Sequence, residues 1–510
     1  MSWGSDRLGV TQETFDMIKA ATAGINTSTG IAGIHMSDLV SLVPVDTPFF
    51  NSTPRHPAPV GALFAVWQAL LNVNQTQPNG GIQNQQAAPL IKIQNQYMYA
   101  PYAVVGAGGT TSWDALAEGQ NYATVLAVDT LQTVNQQLIF LDIHQLNAQS
   151  FACPAAAAPT AVAHTTGGSI PTTTKVSVKV SVRSGLNYYY GGGQAASAAG
   201  AATTAAATSS VTAKVPAVKT AAAYDWFVAI GTPAGTFYYY TTTAVNTVTI
   251  TSIPAANNTV PTTLAGLFNA GGPGPNPPTT SSTHQTYWQN GLTATVLGDF
   301  SASPDQLGIV TSVANLVTPG TGTSQTAYYE SLDGGTLTVN GAAITQIDAM
   351  NRRIYDRWQL TPTRMLMGSQ CINDLANALL DNPQAVTWLV PTDASGRARL
   401  VAGGAVAVYL NKTVNGRPIT IELQPHLPPG KIISVVDEIP FPGANITTVL
   451  SVETLYDFFR FDYGANRVLT TETNSGGGPR YDFEVRTKQA LLNKAAPVFG
   501  ILDNIAPGLS

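Results

Sequence analysis

Six histidines and two cysteines are the residues of this 510-residue chain best suited to bind a metal or act as base and nucleophile. Their spacing offers neither chemistry. His35, His56, His144, His164, His284 and His426 are scattered, with no pair at i, i+3 or i+4, whereas a zinc site needs convergent ligands. Cys153 and Cys371 lie 218 positions apart with no motif around either, so they read as free thiols of a reducing compartment. Glycine runs at Gly191–Gly193 and Gly476–Gly478 lack the strand–loop–helix setting and the following Lys-Ser/Thr of a phosphate loop. Asp437-Glu438 and Asp356-Arg357 read as solvated or inter-subunit charges at element ends. The sequence assigns no catalytic, cofactor-binding or metal residue and no cofactor, and it does not read as an enzyme.

Composition points away from charge-driven function. Lys and Arg number 24 and Asp and Glu 29, so 10 % of residues are charged where about 25 % is usual. Hydrophobic content is 44 %, enough for cores and too much for a disordered polyelectrolyte. A net charge of −5 argues against a nucleic-acid reader, which needs a basic surface for phosphate. No apolar run is long enough to span a membrane, and MSWGSDRLGV does not read as a secretory signal. A neutral polar surface suits a molecule that meets many copies of itself.

The elements that would position any functional residue differ along the chain. The proline-rich segment Val43–Pro59 reads as an extended arm, because proline removes backbone donors and fixes φ. Leu63–Leu71 and Ile91–Ala100 flank a polar stretch with an Asn79-Gly80 turn signal, which predicts a protruding hairpin without a core of its own. From Glu118 to Ser150 no proline appears, and Ala127, Leu131, Val134, Leu138 and Leu141 predict one face of a long amphipathic helix. Residues 151–329 hold five basic and three acidic residues. Within them Lys175–Val182, Tyr224–Ile230, Thr236–Thr243 and Asn246–Ile253 predict short strands of a β-sandwich. The tyrosine triplets Tyr188–Tyr190 and Tyr238–Tyr240 read as cross-strand packing. Two helices and several strands follow, ending in Thr448–Tyr463 and Arg480–Asn493.

This order of parts resembles the tailed-bacteriophage major capsid protein, whose fold is shared with encapsulins and the herpesvirus capsid floor. The resemblance is carried by DTPFFNSTPR (Asp46–Arg55), LTPTRMLMGSQCINDLANALLD (Leu360–Asp381), the run from Thr392 to Asp437, and EVRTKQALLNKAAPVFGI (Glu484–Ile501). It covers about residues 40–150 and 330–500, and 151–329 departs from it. The fold so implied is α+β: an N-terminal arm at 1–60, an extended loop at 61–110 and a peripheral spine helix at 111–150. An inserted β-rich surface domain would follow at 151–329, then an axial domain at 330–445 and peripheral strands at 446–510. The function implied is a structural shell of hexamers and pentamers enclosing double-stranded DNA without sequence-specific binding and with no membrane. The protein would be made in the host cytoplasm and located in the virion. Scaffold, decoration and portal proteins are the further partners the resemblance suggests. Phe49, Phe50, Arg55, Asn79, Gly80, Lys92 and Tyr97 become its inter-subunit contact candidates. Lys92 is also the sole loop lysine available for a crosslink, though by itself it reads as a solvated strand lysine. Two alternatives stay open: an encapsulin-like compartment holding protein cargo, and a β-rich tail or adhesin protein built around 151–329.

Overall fold

The computed structural model describes residues 46–59, 61–74, 92–112, 125–150, 153–230, 236–253, 277–279, 289–297, 316–317, 324–325, 327–340, 343–380, 408–414, 416–441, 445–466 and 480–508. All belong to one unit, Val45–Ser510. The arm opens as a helical turn, α1 (Pro48–Ser52), then a short strand, β1 (Arg55–Pro57). The uninterrupted extended arm expected from its prolines is thereby corrected. Pro48 sits at the start of the turn, where a missing N–H costs nothing. β2 (Phe64–Asn74) and β3 (Lys92–Pro101) form the hairpin, followed by β4 (Ala103–Ser112) and the long helix α2 (Val125–Asn147).

Two long strands near the C-terminus, β17 (Leu450–Asn466) and β18 (Arg480–Asn493), return to join β4 and β1 in the order β1-β17-β18-β4. Alternation decides which way this sheet faces. Phe483, Val485, Thr487 and Gln489 are buried with Val105 of β4, and α2 packs along β4 on that side. Gly109 makes room for Phe483, whose ring would lie 2.3 Å from any Cβ added there. Glu484, Arg486 and Lys488 point the other way.

The span 153–253 folds as two facing sheets. One is β10-β9-β6-β7, from β6 (Lys175–Ser184), β7 (Gly200–Thr203), β9 (Ala221–Ile230) and β10 (Tyr238–Thr243). The other is β11-β8-β5, from β5 (Thr160–Ile170), β8 (Ser209–Lys214) and β11 (Thr247–Ile250). Val176, Val178, Val180, Val182, Tyr224 and Trp226 meet Ile170, Val211, Ala213 and Ile250 between them. The Ala/Thr/Ser-rich stretch from Gln194 to Ala223 is therefore packed strand and turn. Tyr188–Tyr190 lie in a short helix, α3 (Gly185–Tyr190), where strand was expected, because the Ser184 hydroxyl caps it by accepting the Asn187 N–H. Helix α4 (Leu292–Leu297) also falls inside 151–329, yet Leu292, Val296 and Leu297 belong to the main core with Phe49 and Leu146.

The third part is a six-stranded mixed sheet in the order β12-β19-β16-β13-β15-β14. Its strands are β12 (Tyr328–Ser331), β13 (Arg364–Met367), β14 (Val408–Asn411), β15 (Arg417–Leu423), β16 (Ile432–Val435) and β19 (Gly500–Asp503). Helices α5 (Thr345–Trp358) and α6 (Ser369–Leu380) cover one face through Ile347, Met350, Ile354 and Leu375, which meet Met365, Met367, Ile419 and Ile432. The other face buries Leu366, Ile433, Val435 and Ile501 against the main core. The sheet is thus a middle layer, and the α+β class expected from sequence is the class found.

Helix α2 departs from its expected face. Leu131 is 58 % exposed, while every residue from Leu141 to Gln149 is buried, including Asp142, His144, Gln145 and Asn147. The helix end is enclosed on all sides by the arm, α3, α4 and the loop at His426, so no one-sided pattern applies there.

Candidate assembly surface

The hairpin is built by pairing Phe64 with Pro101 and continuing to Asn74 with Lys92, with one irregularity between Leu70 and Asn72. Among the described residues no third strand joins it. At about 3.4 Å per residue, eleven residues reach roughly 35 Å. A two-stranded ribbon of this kind is marginal alone. Among the described residues its anchor is at the root, where Ala65 and Ala100 pack with Tyr102, Ala490 and Leu492 and Trp67 lies half-buried against them. Beside that root Leu63 is 73 % and Val66 60 % exposed. Lys92 and Tyr97 stand opposite Asn74 and Gln68 in the register, and Asn79 and Gly80 lie outside the described residues.

The arm residues lie elsewhere. Phe49 is fully buried in the main core, so its side chain is used within its own chain. Phe50 packs with Val105 and Leu141, and its N–H donates to Asp142 Oδ1 at 2.7 Å. The Arg55 guanidinium sits 3.6 Å from the Phe50 ring centroid and 3.5 Å from Asp457. Backbone groups of the arm find partners within the chain. Val452 N–H donates to Pro54 O and Ala58 N–H to Thr454 O, so β1 runs parallel to β17.

Sequence reading missed the polar node that fixes these parts. Fully buried Asp142 accepts from Phe50 and lies 2.6 Å from His426 Nδ1, 284 positions away. Asn147 donates to the His426 carbonyl at 2.8 Å, and Tyr189 of α3 meets the imidazole edge-on. Nearby His144 stacks on Phe140, and burial pushes its pKa down to about 3, so it stays neutral. The available signal was a carboxylate inside the apolar run Leu138–Leu146, which requires a partner when buried. Arg364 makes a second tie. It holds Asp437 through two bonds of 2.7 Å and also reaches Glu422 and the Ser52 hydroxyl of α1. Burial disfavours its charge, but the two carboxylates more than offset that, and its pKa lies above the ordinary value.

Two further pairs are sealed inside: Arg183–Asp225 and Lys431–Asp503, each at 2.6 Å. Both thiols are buried, which pushes Cys153 to about 11 and Cys371 to about 12 and leaves them unreactive near neutrality. Among the described residues no three His, Cys, Asp or Glu side chains converge as metal ligands. Among the same residues no helix is long and apolar enough to cross a membrane.

Several apolar and aromatic side chains of the sheets are exposed. The outward face of the β17–β18–β4 sheet carries Phe459, Phe461, Tyr463 and Val104 around Glu484 and Arg486. Arg486 beside Glu484 holds its carboxyl below the usual range. Val408 and Leu410 project from β14 at the edge of the six-stranded sheet. Exposed apolar sheet surface of this kind suits contact with another molecule.

No family model matches the chain, and no curated protein matches its sequence. Among solved structures it is similar to the cyanophage A-1(L) capsid asymmetric unit, at 9 % identity and a TM-score of 0.41, over 94 % of this chain and 98 % of that one. It is similar also to the capsid of a native GTA particle, at 7 % identity and a TM-score of 0.41, over 95 % and 100 % of the two chains. A chain of the holo-SrpI encapsulin complex from Synechococcus elongatus is similar at 8 % identity and a TM-score of 0.38, over 96 % and 95 %.

Proposed function

We propose that this chain is a shell subunit, the major capsid protein of a tailed phage, assembling as hexamers and pentamers around double-stranded DNA. The observation that carries the reading is the hairpin: a long two-stranded ribbon with apolar side chains bare at its root and no third strand among the described residues. Such a ribbon becomes stable by lying on another surface, and many identical subunits supply one. The mechanism is geometric. A body locked by the Asp142–His426 node and the Arg364 clamp acts as a rigid block, and the hairpin ties it to a neighbour. Subunits so tied draw stability from the lattice as a whole. A charge of −5 suits a container that must hold DNA without adhering to it.

On this reading the protein resides in the virion and has scaffold, decoration and portal proteins as partners. The sheets at 153–253 form an outer surface, and residues 330–445 lie nearest the local symmetry axes. Deleting Asn74–Ala88 tests the role of the hairpin. The expected result is folded subunits that fail to form shells by negative-stain microscopy and light scattering, while the intact chain forms them. Normal shells from the deletion would sink the assignment. Nuclease-protected DNA inside phage-derived particles supports the phage reading, and a protein cargo without DNA overturns it in favour of a compartment.

A further inference from the structure

Strand β17 is 17 residues long, yet β1 covers its outer edge only from Val452 to Thr454. Arg55 and Phe50 of the arm reach Asp457 and Phe458. Among the described residues no strand pairs with that edge from Phe459 onward. Side chains alternate from Phe459 to Asp462, and the register with β18 shifts between Asp462 and Gly464. Phe459, Phe461 and Tyr463 are 55 %, 38 % and 50 % exposed on the outward face, where Tyr463 bonds Glu484 and Arg486 lies over Phe461. Arg460 and Asp462 lie on the opposite face, 2.7 Å apart, with Arg460 over the Phe483 ring. An open edge carrying aromatics is a template for another strand, and charges on it select which strand is accepted.

We propose that this edge pairs with the same edge of a second copy, antiparallel about a two-fold axis through Phe461. A two-fold axis normal to the sheet keeps the two outward faces together. Centred on Phe461 it sets Phe459 opposite Tyr463 of the second copy, and Phe461 opposite its own equivalent. The aromatics then form a continuous cross-strand row. On the other face Arg460 stands opposite Asp462 of the second copy, and Asp462 opposite its Arg460. Neighbouring centres fail. An axis through Arg460 opposes two guanidiniums, and one through Asp462 opposes two carboxylates. An axis through Phe459 or Tyr463 leaves both charges facing uncharged residues. The charge pattern therefore fits one register and one partner, a second copy. The pairing deepens the shell reading by naming a contact across a two-fold axis, separate from the hairpin.

Phe461→Cys in the full-length chain tests it, because only at the axis does a residue face its own equivalent. The two native thiols are buried and do not compete. Mild oxidation should yield covalent dimers of F461C. Phe459→Cys alone should not dimerise, while Phe459→Cys mixed with Tyr463→Cys should link across copies. Adding Arg460→Asp or Asp462→Arg to F461C should cut dimer yield about tenfold, and the double exchange should restore it. Shells that form without F461C dimers overturn the edge pairing and leave the shell reading standing. A double exchange as poor as either single one overturns the register. F461C dimers in a chain that never forms shells support the pairing and count against the shell reading.

Discussion

The arm and the hairpin adjoin in sequence, and both look like extended segments without a core, yet they are held in opposite ways. The arm inserts Phe49 into the main core, gives its Phe50 N–H to Asp142 and lays Arg55 over the Phe50 ring. Its strand β1 pairs with β17 of the same chain. The hairpin has a longer ribbon and a small apolar root, with Leu63 and Val66 left in solvent. Proline, denser in the arm, does not anchor it to the body. What does is the presence of large side chains that a neighbouring element of the same chain can bury. A segment anchored by a fully buried ring such as Phe49 becomes part of the body, and one whose described anchors are small residues and a half-buried Trp67 leaves surface for another molecule.

If that division is right, damage to the arm lowers the stability of the single chain. Phe49→Ala should have the largest effect, a loss of about 4 kcal/mol, because a fully buried ring leaves a cavity in the main core. Urea unfolding of the unassembled chain checks it. An unchanged midpoint together with failed assembly would turn the arm into an inter-subunit element and erase the contrast. Asp142→Ala should cost about 3 kcal/mol in the same assay, since it strands two buried groups, the Phe50 N–H and the His426 ring nitrogen. Loosening of both partners should appear as faster amide exchange at Phe50 and around His426.

The parts legible in sequence were those whose signal is local. Lys175–Val182 and Arg480–Asn493 read as strands from their own residues, and both are strands. Features set by several elements at once were not legible. Leu131 looked like a core residue and faces solvent, because the buried part of α2 is its C-terminal end, enclosed on every side. Asp142 and His426 are 284 positions apart, and neither has a neighbour in sequence that names the other. Tyr188–Tyr190 carried strand-like residues, but one Ser184 cap was enough to start a helical turn. Among the contact candidates that the resemblance implied, Phe49 is buried within its own chain. The core that buries it is assembled from residues as distant in sequence as Ile501.

Arg55→Ala tests the outer margin of the arm. The guanidinium lies over the Phe50 ring and near Asp457, which is itself largely in solvent. The pair with Asp457 is worth little in water, so the loss should be about 1 kcal/mol and come chiefly from the ring contact. Arg55→Lys should recover only part of it, because an ammonium lacks the flat surface that covers Phe50. A loss as large as that of Phe49→Ala would mean that the arm is held from its outer end inward.

The hairpin should give the reverse result, and the smallest change in stability. Leu63→Ser and Val66→Ser alter side chains that already meet water, so the urea midpoint of the single chain should stay within about 0.5 kcal/mol of the parent. Burial of those side chains would occur only between molecules. Assembly, measured as shell yield by light scattering, should therefore fall steeply in the double variant, although the subunit remains as stable as before. The informative quantity is the ratio of the two effects. Phe49→Ala should lower shell yield only as far as it unfolds the subunit, whereas Leu63→Ser/Val66→Ser should lower yield at constant stability. Equal ratios for arm and hairpin would show that both segments serve the same surface, and that the division by anchoring side chains is wrong.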